Sequence, residues 1–103
     1  MKVEFKASFY RTFDKYSLDK QEKIYSTIEH LIQSIGKNEI PKGLGMKLMR
    51  SKSRIWEARV SDNMRIIFRY KADVLEFGIV GSHDEIKRYL KNFPIAITIT
   101  EIR

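Results

Sequence analysis

The sequence predicts an α+β fold: an N-terminal strand, a helical hairpin, then an antiparallel meander with helices packed on one sheet face. Three patterns predict it. Residues 2–8 alternate apolar and polar as a half-buried strand does. Ile24, Ile28, Leu31, Ile32 and Ile35 recur at helical spacing. Residues 55–80 hold three alternating β-rich runs separated by short polar turns.

In order, Val3, Phe5 and Ala7 mark one face of the first strand. Phe9, Phe13 and Tyr16 mark a short helix. Ser17 is placed to cap a second, longer one, with Asp19 and Glu22 near its positive end and Gly36 expected at its C-cap. The segment "KNEIPKGLGMKLMRSKSR" reads as a basic connector in which Leu44, Met46 and Leu48 form a short strand or a pinned loop. Strands follow at 55–60, 64–70 and 74–80. Ser61-Asp62-Asn63 is expected to be a three-residue turn, and residues 70–73 a second turn. "SHDEIKRYLKNF" reads as a last helix with Ser82 or His83 near its cap, ended by Pro94. Residues 1–93 form one domain, and 94–103 an added edge strand or a tail.

A chain of 103 residues with 43% hydrophobic content supports one modest core. The absence of cysteine rules out disulfides and thiolate metal sites, and His30 and His83 are too far apart in sequence to suggest a structural metal. No cofactor is expected. No apolar run approaches the ~18 residues a spanning helix needs, and no signal segment is recognised, so a cytoplasmic protein without a membrane role is expected. Charge is more telling. Residues 37–71 hold ten Lys/Arg against three Asp/Glu, so the net charge of +7 falls within that third of the chain. A basic block so confined suits a polyanion, nucleic acid first.

With the turn at 61–63 as pivot, Arg59 faces Arg65 across the hairpin. Trp56, Ala58, Val60, Met64, Ile66 and Phe68 then share the core face, joined by Leu75, Phe77 and Ile79. Glu57, Arg59, Arg65, Ile67 and Arg69 share the open face. Like charges opposed in a sheet repel. Two accounts fit: solvated charges partly neutralised by Glu57, or an anion cradle in which guanidinium forks match phosphate oxygens. Lys47, Arg50, Lys52 and Arg54 extend the basic surface. His83, at a strand-to-helix junction, has the ring chemistry of a general acid or base, although packing or capping would equally place a histidine there.

The basic "GLGMKLMRSKSRIWEARVSDNMRIIFRY", followed by an apolar strand and "GSHDEIKRYL", resembles the RelE/ParE superfamily of type II toxin–antitoxin toxins over residues 1–93. The resemblance implies a small cytoplasmic toxin that cleaves mRNA on the ribosome, uses no metal and is neutralised by a cognate antitoxin. By position, Arg65 matches the residue that holds the scissile phosphate and Arg59 its partner on the preceding strand. His83 falls where members place an acid or base. Glu57 stands where some members carry a lysine, and is assigned either as the base or as a group orienting Arg59. Lys47, Arg50, Lys52, Arg54 and Arg69 are the expected RNA contacts. Two alternatives share the fold: a ParE-like inhibitor of DNA gyrase, and a nucleic-acid-binding module without chemistry.

Overall fold

A computed structural model describes residues 1–91. The chain runs β1 (Lys2–Phe5), α1 (Ala7–Phe13), α2 (Leu18–Gly36), β2 (Lys47–Arg50), β3 (Ile55–Ser61), β4 (Met64–Lys71) and β5 (Val74–Gly81). A third helix, α3, occupies residues 83–91. The tail or edge strand expected at 94–103 lies outside the described residues. The five strands form one sheet in the order β1-β5-β4-β3-β2. β1 lies parallel to β5, and the other neighbours are antiparallel. The α+β class and the succession of elements are as predicted, except that the N-terminal alternation ends early and Ala7 already begins α1.

Two apolar layers hold the sheet. On one face α1 supplies Phe9 and Phe13, and α2 supplies Ile24, Ile28 and Leu31. These meet Ala58, Ile66, Phe68, Leu75, Phe77 and Val80. Phe5, Phe9 and Phe77 cluster at the β1 edge with ring centroids 5.2–6.2 Å apart, Phe5 stacked on Phe77 and Phe9 tilted against both. Ser17 sits at the N-terminus of α2 in extended geometry without a side-chain capping bond, and Asp19 provides the first-turn charge. Gly36 is still helical. Asn38, at φ 59°, makes the left-handed exit instead.

The other face is not open throughout. Ile86 and Leu90 of α3 pack over Ile55, Ile67 and Ile79, so the helices cover both faces and not one. Ile67, expected in solvent, is 2% exposed. Ile79, expected in the main core, lies under α3. The cause is a bulge: Ile67 pairs with Ile79 but Phe68 pairs with Phe77, which leaves Gly78 unmatched and moves Ile79 to the opposite face. Each buried Ile or Leu of this second layer contributes about 1.5–3 kcal/mol.

The β3–β4 hairpin carries a matching irregularity. Ser61 pairs with Met64, so the turn is Asp62-Asn63 alone, and the extra residue appears as a bulge between Arg59 and Ser61. The shorter turn and the bulge offset each other, and Arg59 still pairs with Arg65 as predicted. The second hairpin turns on Ala72-Asp73, both at positive φ (53° and 60°), the geometry of a type I′ turn.

Candidate functional site

Strand alternation brings the charged residues to the sheet face that α3 shares. Glu57 lies between Lys47 on β2 and Ile67 on β4, and the next outward-facing pair is Arg59 and Arg65. α3 covers Ile67 and Ile79 but leaves this end of the hairpin exposed.

Arg65 is half-buried and firmly placed. Its Nη1 donates to the Ser61 carbonyl at 2.7 Å, with longer contacts to the Asp62 and Met64 carbonyls at 3.3 and 3.4 Å. Its Nε lies 3.8 Å from Glu57 Oε1. The turn and the carboxylate therefore fix the guanidinium from two sides, while Nη2 donates to no described residue. Glu57, expected in solvent, is 8% exposed. It meets Arg65 and not Arg59, the residue it was expected to orient. The Arg59 side chain is exposed and lies against Gly45, its guanidinium 3.5–3.7 Å from where a Cβ would stand. The Arg59 amide donates to the Leu44 carbonyl at 2.7 Å, which ties the basic connector to the site. Gly45 has φ +54°, a conformation that favours glycine.

His83 is the first residue of α3 and is exposed. Ser82 is the cap. The Glu85 amide donates to Ser82 Oγ at 3.3 Å, and the Ser82 amide donates to Glu85 Oε1 at 3.0 Å. This capping box is legible in "SHDE" and frees His83 from the capping role. His83, Asp84 and Ser82 line one surface depression with Arg65, Asp62 and Asn63. An imidazole and a fixed guanidinium thus share one hollow, although 18 positions separate them in sequence.

The other expected RNA contacts scatter. Lys47 is exposed beside Glu57. Arg50 donates from Nη2 to the Leu90 carbonyl at 3.3 Å and so holds the last described turn of α3. Arg69 pairs with Glu76 at 3.6 Å. Lys52 and Arg54 are exposed in the turn after β2. That turn meets β3 at Ile55, about 13 Å along the strand from Arg59 at ~3.3 Å per residue. Arg50, Lys52, Arg54 and Arg69 therefore belong to the opposite end of the hairpin from Arg59 and Arg65. Asp62 and Asn63, read from sequence only as turn formers, line the depression. Among the described residues no three His, Asp or Glu side chains cluster as metal ligands would.

No family model matches the sequence, and no curated protein matches it. Solved structures do. A chain of the DinJ-YafQ toxin-antitoxin complex of E. coli superposes with a TM-score of 0.68 at 15% identity, over 81% of this chain and 92% of that one. A chain of the RelB-RelE antitoxin-toxin complex of Methanococcus jannaschii gives 0.65 at 20% identity, over 84% and 98%. The fold is that of the RelE-like toxins. A copper-bound mutant toxin from Helicobacter pylori gives 0.63 at 21% identity, over 82% and 97%. At these identities the likeness establishes the RelE-like fold, and the resemblance read from the sequence holds at that level.

Proposed function

We propose that the protein is the toxin of a type II toxin–antitoxin system and cleaves mRNA on the ribosome without a metal. The observation that carries this reading is the shared hollow, in which the anchored Arg65 guanidinium and the His83 imidazole lie together beside the buried Glu57. The 2′-hydroxyl oxygen attacks the adjacent phosphorus and its proton passes to the Glu57 carboxylate. The bond from phosphorus to the 5′-oxygen breaks, and His83 protonates that oxygen. The products are a 2′,3′-cyclic phosphate and a 5′-hydroxyl. Arg65 and Arg59 stabilise the extra negative charge of the phosphorane. Lys47 supplies a further cation at the edge of the site. Two of the similar structures are complexes with an antitoxin, RelB or DinJ. An acidic antitoxin segment over the basic face would block substrate entry.

Induced expression in a bacterial host, with primer extension on an abundant transcript, tests the reading. Growth arrest with discrete new 5′ ends, lost in Arg65→Ala and His83→Ala, is expected. Arrest without new ends but with inhibited DNA supercoiling would replace RNA cleavage with gyrase inhibition. Growth unaffected by a well-expressed, folded chain would remove the toxin reading.

A further inference from the structure

A second groove lies on the other side of the first turn of α3. Ser8, Arg11 and Thr12 of α1, and Lys15 in the turn that follows it, succeed one another at helical spacing and form one wall. Arg88 and Glu85 of α3 form the other, over a floor at Ile79, and the space between is about 330 Å3. That volume falls within the range of small-ligand sites, roughly 300–1,000 Å3. None of Arg11, Lys15 and Arg88 makes an ion pair with a described residue, and all three are exposed. Among the described residues the one carboxylate lining the groove, that of Glu85, is engaged by the Ser82 amide. Three uncompensated cations around one groove, beside a single committed acid, make an anion site. They lie outside the basic segment 37–71.

We infer that this groove holds the phosphates of the RNA strand that continues from the cleavage site. The inference rests on the RNA-cleaving reading above. Continuity favours it: Gly81 pairs with Arg65, Ser82 and His83 line the first hollow, and Glu85 and Arg88 line the second. One turn of α3 therefore separates the two, and a backbone leaving the Arg65 hollow over that turn enters the groove. Cations at this spacing track a phosphate chain and are indifferent to the bases on it.

The test uses the whole chain and 2′-O-methyl RNA, which lacks the attacking hydroxyl. Binding of a trinucleotide and of a twelve-nucleotide strand is measured by fluorescence anisotropy across a salt series. The variant is Arg11→Gln/Lys15→Gln/Arg88→Gln, with circular dichroism and thermal melting to confirm that it folds. Loss of three phosphate contacts lowers the salt slope for the long strand by about 2, at ~0.7 per contact for single strands, and its affinity at low salt by roughly 10- to 100-fold. The trinucleotide affinity, set by the Arg65 hollow, stays unchanged. Equal affinity and slope for the long strand in variant and wild type overturn the groove and leave the cleavage site standing. An equal loss for both lengths also overturns it, because the three cations then act only through the general field. Failure of the wild type to bind the long strand more tightly than the trinucleotide also overturns the groove, whereas the cleavage reading falls separately, by the absence of new 5′ ends on induced expression.

Discussion

Arg65 donates to three carbonyls in and beside the turn that precedes it while a carboxylate flanks its Nε. A lysine has the charge but not the fork, and cannot keep both the turn and a phosphate. Arg65→Lys is expected to lower the single-turnover rate of RNA cleavage by about 10²–10³-fold, the effect of losing one preorganised donor, with the melting temperature shifted far less. Glu57→Gln separates proton transfer from placement. Loss of about 10²–10⁴-fold in cleavage identifies Glu57 as the base, and near wild-type cleavage makes it a positioning residue for Arg65. The opposed arginines were legible because a strand repeats every two residues. The clasp on the turn was not, since backbone carbonyls carry no side-chain signature. Nor was the burial of Glu57, which sits between Lys47 of β2 and Ile67 of β4 with the Arg65 guanidinium against it.

At the scale of elements, the alternation rule worked until a bulge interrupted it. Gly78 is the unmatched residue in β5, and a Cβ there would stand 2.6 Å from the Tyr89 hydroxyl. Gly78→Ala is expected to cost about 1–3 kcal/mol in urea unfolding, because the half-buried Tyr89 ring would have to leave its place over the bulge. Tyr89 is also a pH reporter. Burial raises its phenol above the ordinary 10.0, against a hydrogen bond with Ser8 that lowers it. The folded state then binds the proton more tightly than the unfolded one. This contribution is complete below pH 10.0 and is lost as pH rises through the folded value. Tyr89→Phe is expected to lose stability less steeply than wild type above about pH 10 in a pH series of thermal melts. The residual slope is assigned to Tyr16, which burial also raises. The second turn offers a gain. Ala72 sits at φ 53°, where its Cβ is crowded, and Ala72→Gly is expected to stabilise the hairpin by about 0.5–1 kcal/mol in the same urea assay. The sequence showed a turn at this place but not its handedness.

Over the whole molecule, the linear distribution of charge was an incomplete guide. The confined +7 pointed to a polyanion, yet Arg59 and Arg65 lie at one end of the β3–β4 hairpin and Arg50, Lys52, Arg54 and Arg69 at the other, and Arg50 and Arg69 are committed to Leu90 and Glu76. Meanwhile Arg11, Lys15 and Arg88, unremarkable in sequence, meet across a groove that only the packing of α1 against α3 creates. Fold class was readable because periodicity is local. The second apolar layer was not, because Ile86 and Leu90 fit either face of a sheet until a connection fixes which. The sheet order also governs synthesis. β1 leaves the ribosome before the other strands, yet its only partner among the described strands is β5, with Lys2 opposite Val74 and Phe5 opposite Phe77. A contact across so long a stretch of chain closes late and slowly. The nascent chain holds an unpaired edge and exposed phenylalanines until β5 emerges, and His83 follows β5 by two residues. The hollow shared by Arg65 and His83 is therefore assembled only when nearly all of the described chain has been translated, so whatever chemistry it performs is withheld from the nascent chain.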